Sequence, residues 1–311
     1  MNAPRTPVLR TPVLRTPVHR TSDSRFENLP GYDFVANYAD IDGLRMHFVD
    51  EGPRDGDVVL LLHGEPSWSY LYRHMIPLLA DAGLRVIAPD LIGFGKSDKP
   101  ADKSDYTYAG HVAWMTKFIA TLDLNGITLF CQDWGSLIGL RVAAENQHRF
   151  ARVALANGGM PTGDQEMPGI FKAWQIFARF SPWFPIGKIV QQGTITELPA
   201  DTVAAYDAPF PGSKYKTAAR VFPALVPTKP DDPASDANRA AWQVFSRWEK
   251  PFLTMFSNRD PITRGGEKLW QSKVPGAQNR EHVTISNAGH FLQEDKGPEL
   301  AQKLIRFIQE P

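Results

Sequence analysis

A single cysteine, Cys131, stands among 311 residues, so the chain cannot build an intrachain disulfide framework or a metal site made of several thiolates. An excess of either charge is also missing. Lys+Arg and Asp+Glu number 34 each, which removes the electrostatic footprint of a nucleic-acid or anionic-membrane partner. A lone thiol is what a reducing compartment tolerates, and a cytoplasmic location is expected. What is there is ordinary for a globular protein: 42% hydrophobic and 22% charged residues, long enough for one large α/β domain with an insertion or for two modest domains.

The N-terminus carries a short repeat, RTPVL-RTPVL-RTPVH-RT, with a period of five. A proline in every unit forbids a continuous helix, and the arginines break any apolar run before it could serve as a signal-peptide core or membrane span. Residues 1–20 are expected to be a disordered tail.

Beyond the tail, strand-length apolar runs alternate with helix-period segments. The runs are Asp57 to His63, Leu84 to Asp90, Ile127 to Asp133, Arg152 to Asn157, Pro251 to Asp260 and His282 to Ser286. Between them, Tyr70 to Ala82, Tyr108 to Leu124 and the stretch from Gly135 read as helices, and a last helix is expected over Pro298 to Ile308. This is the rhythm of a mostly parallel sheet covered on both faces, here expected to have eight strands. Tyr38 to Glu51 reads as an antiparallel hairpin turning at Asp42-Gly43. The rhythm fails over 160–230, a stretch rich in proline and scattered aromatics (FKAWQIFARFSPWF, then YDAPFPGSKY). Leaving the C-terminal end of a strand, it is placed to roof the crevice where open α/β sheets bind ligands. We therefore expect a main domain of residues 21–159 and 231–311 with an inserted helical cap at 160–230.

Three titratable residues fall where strands end: Asp133 after ITLFCQ, Asp260 after PFLTMFSNR, and His290 after HVTISNAG. Their chain order, nucleophile, acid, histidine, is that of α/β-hydrolases. Asp133 lies in Cys131-Gln132-Asp133-Trp134-Gly135, the strand-to-helix position of the elbow G-x-S-x-G, with aspartate where serine would stand and cysteine in place of the first glycine. A carboxylate is ionised at neutral pH and needs no base to activate it, so it can displace a leaving group from carbon and form an alkyl ester. His290, oriented by Asp260, would then deprotonate the water that opens the ester. The oxyanion hole for that step would come from the backbone N–H groups of Trp134 and Glu65. The scheme needs no cofactor and no metal.

Plainer readings compete for these positions. An aspartate ending a strand is commonly a helix cap, Asp260 before Pro261 could be a turn former, and His290 a buried structural histidine. Asn157 occupies the earlier strand end where an alternative acid would stand, which favours Asp260. His63 reads as loop-shaping. Gly95-Lys96-Ser97 fails as a phosphate loop on spacing, since Asp90 holds the position of the required first glycine. Arg141 and Glu145 read as a solvated helix face with an i,i+4 pair.

Four segments in order, LLHGEPSWSYLYR, PDLIGFGKSDKP, QDWG and GHFLQED, closely resemble haloalkane dehalogenases, in particular the subfamily with HGEP and its acid after the later strand. The similarity runs from about Arg20 to the C-terminus. The resemblance implies the α/β-hydrolase fold, Asp133 as nucleophile, His290 as base and Asp260 as its partner. It implies two halide-binding indoles, Trp134 and a cap tryptophan aligned with Trp174 in F-x-A-W, with Trp183 as the rival. It places Phe171, Phe222, Pro223, Val226, Ile262 and Leu292 around an apolar pocket. Small haloalkanes and water would be the reactants and halide a product, in a monomer or weak homo-oligomer. An epoxide hydrolase would use the same machinery with cap tyrosines, for which Tyr206 and Tyr215 are available, but Glu65 stands where that group has an aromatic residue. A non-catalytic hydrolase-fold binding protein would be expected to lose a triad member, and none is lost.

Overall fold

The sheet is built from long buried strands in a computed structural model that describes residues 17–309. In chain order the strands are β1 (Val18–His19), β2 (Asn37–Ile41), β3 (Leu44–Glu51), β4 (Val58–Leu62), β5 (Arg85–Pro89), β6 (Lys99–Pro100), β7 (Ile127–Gln132), β8 (Phe150–Ala156), β9 (Phe252–Ser257) and β10 (Val283–Ile285). Eight of them form one sheet in the order β10-β9-β8-β7-β4-β5-β3-β2. β3 runs antiparallel to both β2 and β5, and the remaining pairs are parallel. All six residues of β7 and of β9 are buried, as strands covered on both faces require. The β2–β3 hairpin turns at Asp42 and Gly43, both at positive φ, the pair of conformations that a tight two-residue turn demands.

The helices are α1 (Ile76–Asp81), α2 (Tyr108–Thr121), α3 (Trp134–Glu145), α4 (Gly169–Phe180), α5 (Ile186–Gln192), α6 (Ala200–Asp207), α7 (Thr217–Leu225), α8 (Ser235–Phe245), α9 (Glu267–Lys273) and α10 (Leu292–Gln309). Five of them, α4 to α8, lie between β8 and β9, and α4, α5, α7 and α8 supply residues to the wall of the cavity that Asp133 also lines. α10 begins earlier than the expected Pro298 because a first turn from Leu292 precedes a break at Lys296, and Pro298 sits just after that break, near the start of the second segment, where its missing N–H costs little.

Two expectations need correction. Of the tail 1–20, residues 1–16 lie outside the described part, but Val18 and His19 pair with Pro100 and Lys99. Arg20 then grips Asp98 through Nε (2.7 Å) and Nη2 (3.0 Å), so the chain is anchored before residue 20. Arg141 is not on a solvated face. It is 4% exposed, held by Glu145 at 2.5 and 2.9 Å and by Asn238 of α8 at 3.0 Å, because α8 covers that side of α3. The i,i+4 pair itself forms.

Candidate active site

β7 ends in a turn so tight that Asp133 adopts φ 49° and ψ −128°, a conformation costing a non-glycine residue about 1–3 kcal/mol. Hydrogen bonds over-determine it. The Asp133 N–H donates to Asn157 O (3.0 Å), and its carbonyl accepts from Ser136 N (2.9 Å) and Ser136 Oγ (2.5 Å). Gly135 is required because a Cβ there would lie 2.0 Å from the Leu62 carbonyl oxygen. The turn lifts the Asp133 carboxylate clear of the helix behind it. The side chain makes no cap hydrogen bond to α3; Oδ1 accepts instead from the Glu65 N–H at 2.7 Å. Trp134 heads α3, so its backbone N–H is among the first-turn donors that the helix cannot satisfy.

The loop after β10 brings His290 to the other oxygen. His290 Nε2 lies 3.5 Å from Asp133 Oδ2, and its Nδ1 lies 3.1 Å from Asp260 Oδ2. Asp260 is fully buried and also accepts from Ile262 N (2.9 Å), Thr263 N (3.3 Å) and the Thr263 hydroxyl, so it is a turn former and a histidine partner at once. Burial pushes the Asp260 carboxyl up, but the His290 charge and these donors outweigh it and hold it at about 2. For His290 burial acts downward, while Asp260 and Asp133 on either side raise it above the usual imidazole range. Asn157, the alternative position for an acid, donates to Ser257 Oγ, Gly289 O and His290 O, bracing the histidine loop.

These side chains open into a cavity of about 750 Å³. Asp133, Trp134, His290 and Glu65 line its floor, and Phe171, Trp174, Pro223, Val226 and Ile262 line its walls. Trp183 is 61% exposed and is not among the lining residues. Phe222 and Leu292 are corrections: neither reaches the cavity. Phe222 is buried behind Trp134, ring centroids 4.6 Å apart, and Leu292 points into the core at the start of α10 while its neighbour Phe291 takes the lining position. Tyr206 donates to Glu294 and Tyr215 packs on His19, so neither tyrosine faces the cavity.

The sequence reading missed two features. Trp242 of α8 and Trp270 of α9 stack at 4.1 Å and close one side of the cavity, with Trp242 Nε1 fixed on Met160 O (2.8 Å). The Glu65 side chain, considered only for its backbone, is 5% exposed and lines the floor; desolvation and the nearby Asp133 raise its carboxyl well above the usual range. His63 behaves as a loop-shaper: Nδ1 donates to Gly64 O (2.9 Å) and Nε2 accepts from Leu91 N (3.0 Å). Asp90 knots the neighbouring loop, taking Ser69 N, Lys96 N and His47 Nδ1 at 2.7–2.8 Å, so the Lys96 backbone N–H is already occupied.

An aspartate, a later aspartate and a last histidine, converging at the C-terminal edge of this sheet, define an α/β-hydrolase, and the family model for the alpha/beta hydrolase fold matches residues 57–297. The chain is 56% identical over 293 residues to a haloalkane dehalogenase of Psychrobacter cryohalolentis, covering 93% of this chain and 97% of that one. It is 54% identical to a haloalkane dehalogenase of Mycolicibacterium paratuberculosis, covering 92% and 97%. The tetrameric haloalkane dehalogenase of Paraglaciecola agarilytica superposes with a TM-score of 0.87 at 35% identity, over 92% of this chain and 97% of that one. The chain belongs to the haloalkane dehalogenase family.

Proposed function

We propose that this protein hydrolyses small haloalkanes to alcohol, halide and a proton, with Asp133 as nucleophile, His290 as base and Asp260 as the acid that orients it. The observation that carries the reading is the Asp133 carboxylate, anchored through one oxygen by the Glu65 N–H and lying at the floor of a cavity whose lining includes the Trp134 and Trp174 indoles. Attack of Asp133 on carbon forms a C–O bond as the carbon–halogen bond breaks, and the departing halide is received by the N–H groups of Trp134 and Trp174. The floor then holds a neutral ester. Its formation removes the Asp133 charge that helps hold the His290 proton, so the imidazole gives that proton up more readily and is neutral, as a base must be, at the step that needs one. Water deprotonated by His290 attacks the ester carbonyl, whose oxygen gathers charge against the Glu65 and Trp134 backbone N–H groups.

Phe171, Pro223, Val226 and Ile262 form an apolar slot that favours short halogenated chains and keeps bulk water from the first step. Residues 160–230 act as the cap over a main domain of 21–159 and 231–311. Among the described residues no helix is long and apolar enough to cross a membrane. The protein works in the cytoplasm as a monomer or weak homo-oligomer, without nucleic acid, membrane, cofactor or metal. The reading is tested by following bromide, proton and alcohol release from 1-bromobutane beside diol formation from styrene oxide. Stoichiometric bromide and alcohol are expected; diol without any bromide release would replace the assignment by an epoxide hydrolase.

A further inference from the structure

The floor of the cavity holds one more group than the scheme uses. Glu65 is 5% exposed, its Oε1 is buried without a hydrogen-bond partner, and it lines the same cavity as Asp133 and Trp174. Its backbone is fixed by the 2.7 Å bond to Asp133 Oδ1, so the carboxyl cannot move far from the nucleophile. The Trp174 indole is close enough to act on this carboxyl's charge. Nothing in the triad or the oxyanion hole calls for that side chain. A buried acid with an idle oxygen beside the place where an anion must arrive has a definite chemistry: ionised it repels the anion, and neutral it offers an O–H.

We propose that Glu65, as a neutral carboxylic acid, is a third hydrogen-bond donor of the halide seat, and that losing its proton empties the seat. The inference rests on the dehalogenase reading, which supplies the halide. When halide arrives, the indole N–H and the acid O–H both turn to the ion. The charge inventory demands this protonation state. Asp133 and His290 face Glu65 from the main domain, with Asp260 behind the imidazole, and the charged groups at the cavity rim, Glu166, Arg259 and Arg264, are exposed and screened. A halide beside Asp133 leaves no room for a further unscreened negative charge on the same floor. Burial and the Asp133 charge both favour the proton on Glu65, and Trp174 opposes it only in part.

Halide binding is therefore linked to one proton. Bromide affinity is measured with sodium bromide alone, by quenching of indole fluorescence, so the result does not depend on turnover and a failed dehalogenation assay is distinguishable from a failed proposal. As pH is raised, the wild-type bromide Kd is expected to increase by about tenfold per pH unit once Glu65 begins to ionise. In Glu65→Gln, which has no proton to lose, it is expected to stay flat. Should the variant not fold, the wild type alone decides: bromide added to unbuffered protein on the alkaline side takes up one proton per ion, and its infrared difference spectrum contains a shifted carboxylic-acid C=O band. The same pH dependence in both proteins, or bromide binding without proton uptake and without that band, overturns the proposal.

Discussion

His290 Nε2 stands 3.5 Å from Asp133 Oδ2, within reach of the carboxylate but longer than a good hydrogen bond. The opposite side of the imidazole is held more closely, at 3.1 Å from Asp260. The ring is thus fixed from behind by Asp260, while in front Nε2 meets the Gln132 side-chain amide at 3.1 Å beside the Asp133 carboxylate.

Removing His290 should separate the two chemical steps. In His290→Gln the carbon–halogen bond still breaks, because Asp133 needs no base, but the ester is not opened. Intact mass spectrometry after incubation with 1-bromobutane is expected to gain one butyl group per chain, with one equivalent of bromide released. Asp133→Ala should release no bromide while keeping the wild-type circular dichroism.

The two candidate tryptophans make opposite predictions. Trp174 lines the cavity and Trp183 is exposed outside it. Trp174→Phe is expected to weaken bromide binding and slow carbon–halogen cleavage by roughly a hundredfold, the scale for losing one preorganised donor. Trp183→Phe should leave both unchanged. Pre-steady-state bromide release in the two variants measures the difference.

Arg141 tests a part of the molecule outside the chemistry. Its guanidinium is buried against Glu145 and Asn238, and Arg141→Ala would leave the buried Asn238 Oδ1 without that donor. A loss of about 1–3 kcal/mol in urea unfolding is expected, with the bromide Kd unchanged.

Lys99 gives stability a pH signature. Its ammonium is buried, donating to Gly95 O at 2.6 Å and Ser97 O at 3.0 Å. Desolvation lowers it to about 7, with Asp90 and Asp98 acting the other way. An unfolded lysine titrates at about 10.4. Between those values the unfolded chain binds the extra proton, so this residue's penalty is complete below about pH 7 and is relieved as pH rises toward about 10. The stability difference between wild type and Lys99→Met should therefore shift in favour of the wild type from about pH 7 to about pH 9.5, as measured by urea titration; a constant difference would refute it.

Much of this could be read from the chain because it rests on local rules. The buried runs of β4, β5, β7, β8 and β9 have no polar alternation, Asp42-Gly43 marks its own turn, and the small residues after Asp133 are demanded by contacts such as that of Gly135 with Leu62 O. What could not be read depends on which way neighbouring side chains point. Phe222 and Pro223 are adjacent, yet only Pro223 faces the cavity; Leu292 yields to Phe291 by the same rotation of one residue. Trp242 of α8 and Trp270 of α9, 28 positions apart, meet only in the folded chain, and no local pattern marks them. Arg141 and Glu145 show the spacing of a surface pair, yet α8 covers Arg141. The tail ends earlier than its composition suggests because Arg20 finds Asp98, a partner 78 residues away.

The most direct test follows oxygen. Excess enzyme is mixed with 1-bromobutane in water labelled with heavy oxygen and stopped after one turnover. The account predicts unlabelled butanol and label in the peptide containing Asp133, because the alcohol leaves with a side-chain oxygen and water restores it. Labelled butanol with an unlabelled Asp133 peptide would contradict it.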